Sequence, residues 1–490
     1  MESAGVVAGT NSGRSLDEAR SLEEGQSSHR SSLLTKEWIS KRTFLYFMVF
    51  TGMCLHGIIQ MDLVVENALI FGKDCAGGAL NSENEGYIYL FYLSHTLPQA
   101  FFGRASDVFG GRKIFGFSIL IVSCILLIFP AAIASGIGSI EIDALRLLMC
   151  ILLAPVRTAI INIMTKWVPP NERGRFSSNL FANNFGSAIF MLIPTRDVSQ
   201  YGVGILCYTS ALFGFIWSVV WFTSVSDSPI DHPRISAKEK TYILKSTTRS
   251  GTIYGSVSPQ WIDMLCSKQV WVIITTDSFL LLAYYFTSEP AVVMMIESAN
   301  AQSSCWLYST GAISTFIVAL VSGIVCDYLL SRKKMNVITA RKTFTCIAAF
   351  GTAIAHSAIV LTRKEYGYQH TLLFMITTGF VGASCCGLEL AFNDFAPNFA
   401  ATLFGITEFI SGLIAVLIKK IISEMDFKNG LPLDELLCLA ISFFLSSGVL
   451  YLIFGRSDLV RWNQHYIPPR SVMRDNRSKY IIFKRDVNYI

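Results

Sequence analysis

Apolar positions along this chain come in long, nearly unbroken runs, not in the alternating or three-and-four spacing of soluble strands and helices. The runs lie near residues 44–70, 87–106, 114–135, 137–165, 176–195 and 203–226, and again near 269–296, 306–330, 341–362, 371–391, 400–422 and 434–455. Each approaches or exceeds the ~20 residues that carry a helix across a bilayer. Lipid-exposed irregular backbone is not tolerated, so runs this apolar predict helices. The expected architecture is an all-α membrane protein of twelve transmembrane helices in two pseudo-symmetric six-helix bundles. The first bundle covers 44–226 and the second 269–455, joined by a central polar loop at 227–268.

The segments between the runs set the orientation. Of 40 Lys and Arg, 31 fall on the side that carries both termini and the central loop, 7 fall on the opposite side, and Arg146 and Arg157 lie within the fourth run. The positive-inside rule therefore predicts that both termini are cytosolic. Residues 1–43 are Ser-rich, charged and without the apolar core of a signal peptide, and they read as a disordered tail. The stretch "HPRISAKEKTYILKS" in the central loop predicts a short surface helix. Residues 456–490 form a basic tail, either solvated or resting on anionic lipid.

Composition agrees with this class and excludes others. Hydrophobic residues make up 52% of the chain and charged residues 15%, with a mean hydropathy of +0.47; soluble domains carry about 25% charged residues. The cysteines lie mostly inside apolar runs, where Cys acts as a small hydrophobe. Cys75 and Cys305 occupy equivalent outer loops and could bridge the two halves, although a bridge there would impede motion between them. No nucleophile–base pair, metal-ligand spacing or phosphate-binding loop stands out, so an enzyme is not expected, and neither is a cofactor; if the chain is a carrier, a coupling ion, H+ or Na+, is the exception. The bilayer is an expected partner and nucleic acid is not, for a chain acting as a monomer in a plasma membrane or a lysosomal or vesicular membrane.

Between the second and third runs, "GRASDVFGGRKIFG" interrupts the apolar pattern with Gly103, Asp107, Gly110, Arg112 and Lys113. An echo, Gly323, Asp327 and then Arg332, Lys333 and Lys334, follows the eighth run. Six runs, a loop and six more, with this signature in both halves, resemble the major facilitator superfamily, whose halves are related repeats. The resemblance implies alternating access by rocker-switch motion. Asp107, at a helix end, would pair with basic groups and a neighbouring helix N-terminus in one conformation only, latching a cytosolic gate.

Three further stretches narrow the resemblance. Trp167, Pro169, Pro170, Glu172 and Arg173 form one, Ser228, Pro229, His232 and Pro233 a second, and Asp394, Ala396 and Pro397 a third. Together they resemble the anion:cation symporter family, which includes sialin, the vesicular glutamate transporters and the type I sodium–phosphate cotransporters. The resemblance implies a secondary active transporter of an organic or inorganic anion of the carboxylate or phosphate class, with Arg146 as an anion contact. The chain departs from the family pattern at Met149 and Leu153, where the family carries glutamates, and at Gln60 and at Ser278 or a neighbour of it, where some members carry arginines. Those departures leave two other readings open, a transport-inactive sensor or scaffold and a carrier of a cationic or zwitterionic solute.

Charged groups inside spans are costly and mark function. Arg146 and Arg157 are eleven residues apart, close to three turns of a straight helix, which would set both on one face about 16 Å apart as two anion contacts. The coupling candidates are Asp62 and Glu66 on the first span, His95 on the second, Asp277 and Glu289 on the seventh and Glu408 on the eleventh, with Glu389 on the tenth as a further acid. By depth, Asp62 and Glu289 are expected near Arg146, and Asp277 and Glu408 near Arg157.

Overall fold

The computed structural model describes residues 40–71, 90, 92–136, 138–192, 203–254, 257, 259–298, 301–362, 368–425 and 433–463. The terminal tails, Cys75 and the C-terminal basic cluster beyond Asn463 lie outside them. Glu66, Glu289 and Cys305 fall on described helical backbone, but their side chains lie outside the description. Two compact units divide the chain at Phe44 and Leu45. The first is described only at 40–44, where Ser40 Oγ accepts the Thr43 N–H at 3.2 Å at the start of the first helix.

Every described regular element is a helix. In chain order they are α1 (Lys41–Phe71), α2 (Gln99–Phe109), α3 (Gly111–Ala134), α4 (Ser139–Leu153), α5 (Val156–Trp167), α6 (Arg173–Ser177), α7 (Ala182–Met191), α8 (Val203–Ser224) and α9 (Ala237–Arg249). They continue with α10 (Trp261–Leu265), α11 (Lys268–Ser298), α12 (Ala301–Ser331), α13 (Val337–Thr362), α14 (Tyr368–Gly382), α15 (Leu388–Phe395), α16 (Ala400–Met425) and α17 (Leu433–Phe454). Among the described residues ten helical stretches are long and apolar enough to cross a membrane. The runs near 87–106 and 176–195 are helical over shorter pieces, α2 and α6–α7.

The fourth and tenth runs are each broken in mid-course. Pro155 separates α4 from α5, because proline lacks the N–H that would continue the helical ladder. Gly387, after a tight 3-10 turn at Ala383–Cys386, separates α14 from α15. Both breaks lie just ahead of a charged residue, Arg157 on α5 and Glu389 on α15.

Packing within the second half joins α11 to α17, α12 to α14 and α13 to both α14 and α17; in the first half α3 packs on α8. The halves meet most extensively through α2 with α16 and α7 with α12, and also through α6 with α12 and α5 with α16. The α3–α8 seam is aromatic: Trp217 and Trp221 stack at 4.9 Å, and Phe115 contacts both. Buried indoles need acceptors, and here Trp217 donates to Met48 O and Trp221 to Arg112 O. Outward positions such as Ile128, Phe213, Ile354 and Leu361 stay exposed, an apolar exterior that suits lipid.

Candidate functional site

Six ionisable side chains converge where the broken helices meet. Arg157, at the start of α5, sits 3.0 Å from Glu389 on α15 and 3.5 Å from Glu408 on α16. Its guanidinium also lies over the Phe404 ring, 5.4 Å from the centroid. Asp277 on α11 is within electrostatic range of all three and faces Ser411. His95, and His56 on α1, approach Arg157 from the first half. Arginine and histidines thus come from the first half and three carboxylates from the second. At 27% exposure Arg157 retains access to solvent, and so do Glu389 at 13% and Glu408 at 18%. The expected grouping of Arg157 with Asp277 and Glu408 is met, and Glu389 is its shortest contact.

Arg146 is elsewhere. It is 1% exposed, pairs with Asp143 one turn earlier at 3.2 Å and lies over the Phe129 ring of α3 at 5.6 Å. Its Nε and Nη2 make no hydrogen bond among the described residues. The expectation of two arginines on one straight face is corrected by the break at Ala154 and Pro155, which removes the continuous helical phase between them. Met149 and Leu153 are fully buried in the core, and the acids of this site come from α11, α15 and α16 instead of α4. Asp62 is fully buried on α1.

At the basic end, two acids latch onto helix N-termini of the opposite half. Asp107 Oδ2 accepts from the N–H of Thr402 at 2.9 Å and from its hydroxyl at 2.6 Å, in the first turn of α16; Asp107 Oδ1 accepts from Asn162 at 2.8 Å. Asp327 accepts from the N–H groups of Gly174 and Arg175 at 2.8 and 2.9 Å, in the first turn of α6. Close helix approach lets them reach: a Cβ on Gly103 would run into the Ala401 carbonyl. Gly110 turns the chain between α2 and α3 with φ +94°, a conformation other residues avoid.

The basic residues of the motif do not pair with Asp107, contrary to expectation. Arg112 donates through its backbone N–H to Asp227 and through its guanidinium to the Phe222 carbonyl, Lys113 is exposed, and Arg332 lies over its neighbour Tyr328 at 5.7 Å. The buried cations of this end are Arg173 and Arg341, each 1% exposed, which share Asp394 at 3.3 and 2.6 Å. Arg173 also donates to Asn393 O and Arg341 to Cys386 O. Burial pulls the Arg173 guanidinium below its usual pKa while Asp394 pushes it back up.

The polar linker and the segment after α17 close over the same end. The α9 helix starts at Ser236, whose hydroxyl accepts the Glu239 N–H. Tyr254 donates to the Lys166 carbonyl at 2.7 Å, and burial raises its phenol to about 12, which keeps it protonated. Asn398, between α15 and α16, binds Ile253 N–H, Gly251 O and Asn463 O at once. Trp462 packs on Phe395 and Phe399.

Several of these participants carried no expectation from the sequence: His56, Asn162, Arg341 and Thr402. A comparison of the halves offers a signal. Asn162 follows Arg157 by five residues as Asp394 follows Glu389, and Asp107 follows Gly103 by four as Asp327 follows Gly323.

Residues 86–418 match the Major Facilitator Superfamily. The chain belongs to the Major Facilitator Superfamily. Among individual superfamily members, a probable small intestine urate exporter of Homo sapiens is 27% identical over 74% of this chain and 72% of its own length. Sodium-dependent phosphate transport protein 1 of Mus musculus is 27% identical over 76% and 80%, and vesicular glutamate transporter 2.2 of Danio rerio is 24% identical over 86% and 75%. These relatives fall in the anion:cation symporter group that the three sequence motifs resemble. In fold, the chain is similar to the proton:xylose symporter XylE, with a TM-score of 0.64 at 13% identity, covering 86% of this chain and 98% of that one. The protein is a multi-pass membrane protein of this superfamily.

Proposed function

We propose that this protein is a secondary active transporter, not an enzyme, that carries an organic or inorganic anion and exchanges access through rocker-switch motion of its two halves. The observation that carries the reading is the pairing of Arg157 with Glu389 and Glu408 across those halves. An anion can take the guanidinium only when a carboxylate leaves it, and protonation is the simplest way to release one. Arrival of a proton and arrival of the solute are then favourable together, which is the requirement for symport. Asp277 extends the proton-accepting cluster, with His95 at its edge. Arg146, with two guanidinium nitrogens unbonded, would hold the anion at a second, outer station.

In this reading the basic end is cytosolic, and the Asp107 and Asp327 latches hold it shut, so the arrangement described is the outward-facing one. The coupling ion is H+, with Na+ as the alternative. The anions named for the relatives set the panel to test, because they are a carboxylate, a phosphate and a purine anion.

One feature favours a cationic or zwitterionic solute instead: three carboxylates surround a single arginine. Uptake into proteoliposomes decides between the two. Labelled urate, phosphate, glutamate and an organic cation would each be offered with an inward proton gradient, with a sodium gradient and with neither. Proton-driven anion uptake that is lost in Arg157→Ala supports the proposal. Cation uptake that persists in that variant overturns it, and a folded protein that carries nothing points to a sensor or scaffold.

A further inference from the structure

His56 is buried to 2% exposure on α1, and among the described residues its two ring nitrogens find at most one partner, the Leu153 carbonyl. Burying an imidazole without partners is costly, of the order of a lost hydrogen bond or more. The packing explains why it is inside but not what satisfies it. Cys54 and Gly57 hold α1 against the backbone of α7, through Gly186 and Asn183 respectively. Along a helix, residue 56 stands on a different face from 54 and 57. That face looks toward the break in the fourth run, where the Leu153 carbonyl meets one edge of the ring, and toward His95 and Arg157. The Leu153 carbonyl can serve one nitrogen at most. Arg157 has no acceptor to offer and is already engaged with Glu389 and Glu408.

A buried imidazole with at least one nitrogen left unpartnered, beside the arginine of a transport site, has a ready complement in the solute. We propose that His56 is a specificity-determining contact of the Arg157 site, with one ring nitrogen hydrogen-bonding a polar group of the solute whose anionic group Arg157 receives. The inference rests on the anion-transport reading above. It adds a substrate class: an anion bearing a second hydrogen-bonding group at short range, such as a hydroxyl, amine or ring N–H. A carboxylate whose remainder is apolar would leave His56 unsatisfied and bind less well, since sites built around a polar contact discriminate against analogues that lack it.

The test compares wild type with His56→Leu, which keeps bulk and removes both nitrogens, and His56→Gln, which keeps a donor and an acceptor. Uptake kinetics would be measured for urate, glutamate and glutarate, the last matching glutamate without its amine. In His56→Leu, KM for urate or glutamate should rise about tenfold with maximal rate preserved, and preference for glutamate over glutarate should vanish. In His56→Gln both should stay within about twofold of wild type. If His56→Leu fails to fold, His56→Asn replaces it, its shorter side chain leaving the contact unmade. Unchanged KM and unchanged preference in a folded variant overturn the inference while leaving anion transport intact. A wild type that carries none of these anions overturns both, and does so without any variant.

Discussion

Asp107 and Thr402 are held together across 295 residues by two hydrogen bonds, from the threonine N–H and from its hydroxyl, to one carboxylate oxygen. Asp327 repeats the arrangement on Gly174 and Arg175. Each acid caps the free N–H groups and positive end of a helix in the opposite half. Neither bond can survive a separation of the halves at this end, so the two acids bias the protein toward one state.

Weakening one latch should open this end more often. Hydrogen bonds to a charged group contribute about 1.5–3 kcal/mol, so Asp107→Ala should shift the population by roughly tenfold or more. A cysteine placed at the buried Ala401, in a background without other reactive thiols, reports it by labelling rate with an impermeant reagent. Labelling should speed up about tenfold in Asp107→Ala and stay unchanged in Arg332→Ala, whose side chain lies over Tyr328. Equal rates for wild type and Asp107→Ala would remove the latch from the account.

The Arg157 cluster makes a second prediction. Breaking a buried ion pair costs about 3–5 kcal/mol, but partial exposure of Arg157, Glu389 and Glu408 reduces this, and about 1–3 kcal/mol is expected for Arg157→Ala. Three acids then crowd together without a cation, so thermal unfolding of the purified protein should fall by several degrees. Exchanging the charges, Arg157→Glu with Glu389→Arg, should recover part of the loss. A double variant no better than the sum of its singles would mean the pair is not coupled.

The helices were readable because apolar runs of bilayer length leave few alternatives. The latch acids were readable because Gly103 and Asp107 recur as Gly323 and Asp327, and a short spacing survives in sequence. Arg157 and Glu389 are 232 residues apart, and nothing local in either run points to the other. The straight-helix estimate for Arg146 and Arg157 went wrong at one residue, Pro155, where the helix breaks between them. Asp394 was visible as part of a motif; its partners Arg173 and Arg341 come from two different loops and helices and only meet in three dimensions. Arg112 looked like the partner of Asp107 by proximity in sequence, yet its backbone and side chain are taken by Asp227 and Phe222.

Asp394 supports two buried guanidinium groups with one carboxylate, so its loss should be severe. In Asp394→Asn, Arg173 and Arg341 would face each other at 1% exposure without a counter-charge. About 3–5 kcal/mol of destabilisation is expected, visible as a large drop in unfolding temperature and in yield of folded protein. Arg341→Gln combined with Asp394→Asn removes one of the stranded cations and should be less destabilised than Asp394→Asn alone. A single variant as stable as wild type would show that solvent reaches the triad.

Asn398 ties three parts of the chain at one point, and its removal should act on the linker before it acts on the helices. Its side-chain oxygen accepts the Ile253 N–H at 2.7 Å, and its amide donates to the carbonyls of Gly251 and Asn463, both at 3.0 Å. Asn463 returns a bond to the same Gly251 carbonyl at 3.3 Å and accepts the Asn398 N–H at 3.0 Å. With about 0.5–1.5 kcal/mol per neutral hydrogen bond, Asn398→Ala should loosen residues 250–254 by roughly 1–3 kcal/mol while leaving the spans folded. Trypsin should then cut after Arg249 faster than in wild type, by about tenfold, with little change in unfolding temperature. Because Asn398 and Asn463 share the Gly251 carbonyl, Asn398→Ala and Asn463→Ala together should open the linker less than the two effects added. Additive cleavage rates would mean that each asparagine holds its own segment independently and that the three-way tie is not a cooperative unit.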